Sequence, residues 1–160
     1  MEHEAPRILV VDDNEIHSKI LAQRLINEGY EVEYAASGES ALKAVTLQQI
    51  DLIMLDMMMP GMDGYQVLTI LQAHKQYSQI PVVIITAKND VDMAVKCIDM
   101  GADDYINKPV IPALLLARAR SCLEKKFLRD REKKLMAQLE REKKNLERFV
   151  ERELDRRKNQ

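Results

Sequence analysis

Apolar runs of strand length recur along the chain, and each is followed by apolar positions at helical spacing. Arg7-Ile8-Leu9-Val10-Val11 runs into Asp12-Asp13. Asn14 then opens a helix with Ile16, Ile20, Leu21 and Leu25 on one stripe, and Gly29 ends it, as a residue free to turn left-handed does. Glu31-Val32-Glu33-Tyr34-Ala35 alternates, as a strand near a sheet edge does, and Ser37-Gly38 begins a second helix through Ala41, Leu42 and Val45. Leu52-Ile53-Met54-Leu55 is apolar throughout and ends in Asp56, so it reads as a strand buried on both faces. A loop with Pro60, Gly61 and Gly64 leads to a third helix marked by Tyr65, Leu68 and Leu71, reaching about His74. Pro81-Val82-Val83-Ile84-Ile85-Thr86 is another buried strand, with proline only at its first position. Asn89 or Asp90 caps a fourth helix through Val91, Val95 and Ile98, closed by Gly101. Asp104-Tyr105-Ile106-Asn107 is a short fifth strand, and Lys108-Pro109 leads into a final helix. Alternating strands and helices predict an α/β fold of (βα)5 type, a parallel sheet with helices on both faces. Right-handed crossovers align all five strand ends on one edge.

The last helix has no stop signal. After Pro112 there is no glycine or proline through Gln160, so continuous helix would run on the order of 70 Å. Past residue 124 the apolar positions thin to Leu128, Leu135, Leu139, Leu146 and Phe149 at a/d spacing, with Glu132, Glu142 and Glu153 in other core slots. The pattern divides the chain into a globular domain at residues 1–123 and a helical, coiled-coil-like tail at residues 124–160, expected to pair in parallel. A lone charged helix is the alternative.

Charge sharpens that division. The formal net charge of −2 conceals 14 basic and 9 acidic residues in 124–160, against 10 and 17 in the rest. The tail's charges are mixed in sign, which suits a solvated helix better than a nucleic-acid surface, and no direct nucleic-acid binding is expected. No apolar run approaches the roughly 20 residues that span a bilayer, so no membrane is expected. Met1-Glu2-His3-Glu4 is polar and acidic, unlike a secretory signal, and Cys97 and Cys122 form no CxxC. A cytoplasmic protein with reduced thiols is predicted.

Candidate chemistry collects at the strand ends. Asp12 and Asp13 follow the first strand, Asp56 the third, Thr86 the fourth and Lys108 the fifth. Singly, each has an ordinary reading: a helix cap, a turn aspartate, a strand-end threonine, a solvated lysine. Jointly they end four of five strands at the edge where open α/β sheets bind ligands. Three converging carboxylates require a compensating cation, and hard oxygen donors suit Mg2+. The set then holds a nucleophile in Asp56, a metal site, a lysine and a hydroxyl donor, the requirements of phosphoryl transfer to a carboxylate. No GxxxxGK[ST] loop or Ser-His-Asp set accompanies it.

Val10-Val11-Asp12-Asp13-Asn14, the run Asp56-Met57-Met58-Met59-Pro60-Gly61-Met62-Asp63-Gly64, Thr86-Ala87 and Lys108-Pro109 together resemble the receiver domain of two-component response regulators. The likeness covers roughly residues 6–123. It implies a flavodoxin-like, doubly wound sheet of order 2-1-3-4-5. It also implies phosphorylation of Asp56 by a histidine kinase or phosphotransfer protein. Mg2+ would be held by Asp13, Asp56 and the main-chain carbonyl of Met58, with Asp12 acting through water. Lys108 would pair with Asp56 or the phosphoryl group, and the Lys108–Pro109 bond would be cis. Thr86 and Tyr105 would form the switch, and the fourth helix, fifth strand and fifth helix the signalling face. Met58 and Lys88 flank the site and would tune phosphoryl lifetime. Such a protein catalyses only its own phosphorylation and dephosphorylation. The tail would form a homodimer through the final helix and join the receiver to an output domain outside this sequence.

Two rivals share the acidic edge. A haloacid-dehalogenase-type phosphatase places its nucleophile after the first strand in a D-x-D pattern, whereas Asp12 and Asp13 are adjacent here. A receiver-like scaffold that signals without phosphate has no use for the intact acid set.

Overall fold

The computed structural model describes residues 4–87 and 89–160. The acidic start at Met1–His3 and the flanking Lys88 lie outside the described residues. The chain divides into two compact units between Lys126 and Phe127.

The first unit carries β1 (Arg7–Val11), α1 (Glu15–Asn27), β2 (Glu31–Ala35), α2 (Gly38–Leu47), β3 (Leu52–Asp56), α3 (Gly64–Ala73), β4 (Val82–Thr86), α4 (Val91–Met100), β5 (Asp104–Asn107) and the start of α5 (Pro112–Lys158). A 3-10 turn at Tyr77–Gln79, without a counterpart in the hydrophobic pattern, joins α3 to β4. All strand pairs are parallel, in the order β2-β1-β3-β4-β5. This is the expected flavodoxin-like, doubly wound sheet.

Alternation along the strands builds two cores, because successive side chains leave a strand on opposite faces. Leu9, Val11, Ile53, Leu55, Val82 and Ile84 meet Val45, Val67, Leu68 and Leu71 from α2 and α3, and Cys97 from α4. Ile8, Val10, Leu52, Met54, Val83 and Ile85 meet Leu21 and Leu25 of α1 and Leu115, Ala119 and Leu123 of α5. Each such side chain, fully buried, contributes about 1.5–3 kcal/mol. β1 after Arg7, and β3 and β4 up to the carboxyl edge, are therefore apolar at every position, and Asp56 and Thr86 end their strands.

The helix starts follow from local chemistry. The Asn14 side chain accepts hydrogen bonds from the amides of Ile16 and His17. Ser37 and Ser40 form a capping box for α2, and Asp63 and Gln66 form one for α3. Asp90 caps α4. Gly29 and Gly101 follow α1 and α4 with positive φ, as expected of them.

Two helices bury stripes that differ from the apolar pattern, α1 in part and α4 throughout. α1 turns Ser18, Leu21, Ala22 and Leu25 inward, while Ile16 and Ile20 are exposed. α4 buries Ala94 and Cys97 and exposes Val91, Val95 and Ile98. In both, small residues fit the close approach of helix to sheet, and the larger β-branched side chains are left outside.

The second unit, Phe127–Gln160, is helical through Lys158. Leu128, Leu135, Leu139, Leu146, Phe149, Val150 and Leu154 are exposed along it. Among the described residues, no helix is long and apolar enough to cross a membrane.

Candidate functional site: an acidic pocket at the sheet edge

The register of β1, β3 and β4 brings their carboxyl ends together, with Val11 beside Leu55 and Asp56 beside Ile85. Asp12, Asp13 and Asp56 each offer a carboxylate oxygen, and these oxygens lie within 4.8 Å of one another. Asp12 and Asp56 are almost fully buried, at 3% and 1% exposure, and Asp13 is exposed. Like charges at this spacing repel, and the protein offers several answers. The Asn14 amide donates to Asp12 Oδ1 at 2.9 Å. The Met58 amide donates to Asp56 Oδ1 at 2.9 Å. Lys108 Nζ donates to Asp56 Oδ2 at 2.8 Å. Burial nevertheless pushes the Asp12 carboxyl above its ordinary range, and the Asp56 charge adds to the push. The imidazole of His17, on the first turns of α1, lies 3.9 Å from Asp12 Oδ2.

Because Asn14 takes the capping role at α1, Asp13 is not spent on the helix start. That sets aside the helix-cap reading of this residue. Three carboxylates against one ammonium leave a local excess of two negative charges, which a divalent cation matches. The oxygen donor set fits a hard cation such as Mg2+.

The loop after β3 is held by a close backbone approach. The Gly64 amide donates to the Met57 carbonyl at 3.2 Å, and a Cβ at Gly64 would come within 2.8 Å of Met57 Cα and collide with the Asp56 carbonyl oxygen. Glycine here lets α3 start against the strand end that carries Asp56. Opposite, β5 pairs with β4 so that Thr86 faces Asn107, and the Lys108 amide donates to the Thr86 carbonyl at 2.8 Å. The Lys108–Pro109 bond is cis.

Asp12, Asp13, Asp56 and Lys108 thus form one cluster, and Thr86 ends the adjoining strand. The Thr86 hydroxyl is already engaged: it donates to Asn107 Oδ1 at 2.9 Å. Asn107 was not singled out by sequence reasoning. Its signal was its place, immediately before Lys108 and opposite Thr86 across the sheet. Tyr105 pairs in register with Ile84 and its side chain is partly exposed, at 37%. The Met58 side chain is exposed beside the cluster.

A five-stranded doubly wound sheet with an aspartate cluster and a lysine at its carboxyl edge defines the receiver class. Residues 8–120 match the family model of the response regulator receiver domain, and the chain belongs to that family, the receivers of two-component systems. The probable transcriptional regulator ycf27 of Cyanidium caldarium is 46% identical over 118 residues, covering 74% of this chain and 46% of its own length. The response regulator PleD of Caulobacter vibrioides is 40% identical over 124 residues, 78% of this chain and 27% of PleD. The chain spans about half the length of the ycf27 relatives it matches. Among solved structures, the receiver domain of NtrX from Brucella abortus superposes with a TM-score of 0.69 at 35% identity, covering 73% of this chain and 98% of that one. A response regulator receiver domain protein from Clostridium thermocellum gives 0.71 at 29% identity, covering 77% and 98%.

Proposed function

We propose that Asp56 is the phosphoacceptor of this receiver and takes a phosphoryl group from the phosphohistidine of a histidine kinase or phosphotransfer protein. A carboxylate oxygen of Asp56 bonds to phosphorus while the phosphorus–nitrogen bond of the donor breaks, its electron pair leaving with the imidazole. Mg2+ would be held by Asp13, Asp56 and the main-chain carbonyl of Met58, with Asp12 acting mainly through water, and when bound it neutralises charge on the phosphoryl oxygens. Lys108 passes from Asp56 to a phosphoryl oxygen, and Thr86 donates its hydroxyl to another. Hydrolysis returns Asp56 and inorganic phosphate, so the only reactions catalysed are those of the protein's own phosphoryl group.

The observation that carries this reading is the convergence of three carboxylates within 4.8 Å, with Lys108 Nζ 2.8 Å from Asp56. Intact mass after acetyl phosphate and Mg2+ tests it. A gain of one phosphoryl group that vanishes in Asp56→Asn is expected. An unmodified mass, or modification that persists in the variant, overturns it.

The output side of the proposal rests on α4, β5 and α5. Val91, Val95, Ile98, Tyr105 and Leu114 are exposed there, as is Ile111 just before α5. Repacking of Thr86 and Tyr105 around the phosphoryl group changes this face, and the tail pairs two copies and hands the change to an output domain. If beryllofluoride with Mg2+ alters neither dimerisation nor tail cross-linking, this part fails.

A further inference from the structure

We propose that Met58 is a site of oxidative modification: hydrogen peroxide converts its thioether to the sulfoxide, and the new oxygen shortens the lifetime of a phosphoryl group on Asp56. The effect on lifetime rests on the phosphoacceptor reading above; the modification itself does not. In the step, a lone pair of the Met58 sulfur attacks one peroxide oxygen and the oxygen–oxygen bond breaks. A sulfur–oxygen bond forms, the sulfur gives up two electrons, and the other oxygen takes the proton of the first and leaves as water.

Exposure and burial select this sulfur. Among the described residues, Met58 and Met136 are the exposed methionines, at 70% and 62%, whereas Met57 and Met59 on either side of Met58 are buried. The Met57 sulfur is also engaged, accepting from the Cys97 thiol at 3.4 Å. Cysteine is the usual first target of peroxide, and both cysteines are closed to it. Cys97 and Cys122 are buried, and burial holds each thiol above its ordinary value, so neither presents the thiolate that peroxide attacks. Of the two exposed methionines, Met58 is the one tied to the site: its amide donates to Asp56 Oδ1 at 2.9 Å.

Oxidation changes the chemistry at that point. A thioether is a weak acceptor, and the sulfoxide is polar and accepts hydrogen bonds strongly. Met58 borders a recess of about 440 Å³ whose wall includes Met57, Met59, Pro60 and Met93. So apolar a wall disfavours the sulfoxide, and its oxygen turns towards solvent. Asp56 is buried, so water reaches phosphorus from that solvent side, in line with and opposite to the Asp56 oxygen. An acceptor there orients the attacking water. The fold gains or loses little, because a side chain this exposed packs against little.

The test uses the full chain and hydrogen peroxide. Peptide mass mapping is expected to find one added oxygen at Met58 and at Met136, and none at Met57, Met59 or either cysteine. A Met58 that stays unmodified while Met136 is oxidised overturns the site. The oxidised protein, loaded with acetyl phosphate and Mg2+, is expected to lose its phosphoryl group about threefold to tenfold faster than the untreated protein, the worth of one hydrogen bond to the attacking water. Methionine sulfoxide reductases of both epimer specificities are expected to restore the slow loss. With lifetimes before and after peroxide compared within each variant, Met136→Leu is expected to keep the response and Met58→Leu to abolish it. Met58→Gln, which sets an amide oxygen in the same place, is expected to lose phosphate fast without peroxide. A lifetime that peroxide leaves unchanged or lengthens, or a response that survives Met58→Leu, overturns the role of the sulfoxide. If Asp56 takes no phosphoryl group, the phosphoacceptor reading falls and the effect on lifetime with it, while the mass map still decides the modification.

Discussion

Replacing Asn107 by alanine removes the acceptor that holds the Thr86 hydroxyl, bonded at 2.9 Å in the resting protein. Thr86 is only 1% exposed, so its hydroxyl cannot simply turn to bulk water. A buried hydroxyl without a partner costs about 1–3 kcal/mol. The value here falls at the low end, about 1 kcal/mol, because Asn107 itself is exposed and a water can enter where its amide stood. In the proposed phosphorylated state Thr86 donates to a phosphoryl oxygen instead, so the substitution raises the resting state alone. A phosphoryl mimic then gains what the resting state loses, about fivefold in affinity. Calorimetric titration with beryllofluoride at saturating Mg2+ reads the affinity, and urea unfolding without ligand reads the cost. In a Thr86→Val background, Asn107→Ala is expected to change neither quantity, because the donor is gone. If Asn107→Ala loses stability but binds the mimic no better, Thr86 keeps Asn107 in both states and the proposed switch is wrong.

Three further substitutions probe the frame around the site. Gly64→Ala forces a Cβ to 2.8 Å from Met57 Cα and is expected to cost about 3 kcal/mol in urea unfolding, with loss of phosphorylation as the Asp56 loop shifts. Lys126 Nζ lies 3.3 Å from Asp51 Oδ1, and Asp51 Oδ2 also accepts the Arg7 amide at 2.8 Å, so Lys126→Met is expected to cost about 1–2 kcal/mol, part of it recovered by Asp51→Asn. Burial pushes the Cys122 thiol up to about 11 from an ordinary value of 9.0. A folded thiol that resists ionisation contributes stability in full below pH 9.0, lost as pH rises towards 11; unfolding midpoints across that window are expected to fall more steeply than in Cys122→Ala.

The fold was legible because the buried strands are apolar along their interiors and their ends are marked by polar residues. β1, β2 and β5 begin and end where the pattern put them, and β4 starts one residue later, after Pro81. The acidic cluster was legible for the same reason: parallel strands with right-handed crossovers must end on one edge. The Asn107 contact was hidden, since it depends on cross-strand register between β4 and β5, which single strands do not encode. The 3-10 turn at Tyr77–Gln79 was hidden too, being three residues without a period.

The inward stripe of α4, and half of that of α1, departs from the apolar pattern for a physical reason that bears on function. Periodicity identifies an apolar face, and the inference that this face is buried assumes that the protein has no other use for apolar surface. In α4, Ala94 and Cys97 satisfy the sheet, and Val91, Val95 and Ile98 are left at 62%, 54% and 39% exposure. Exposing three such side chains on one helix forgoes about 1.5–3 kcal/mol for each that could have been buried. Their helix packs against β5, which the proposed signalling face includes, so the departure from the simple pattern falls where a partner is required. Replacing Val91 and Val95 together by serine is therefore expected to leave the unfolding midpoint nearly unchanged while removing the response of dimerisation to beryllofluoride. A large loss of stability with the response intact would return these residues to the core and take the α4 surface out of the signalling route.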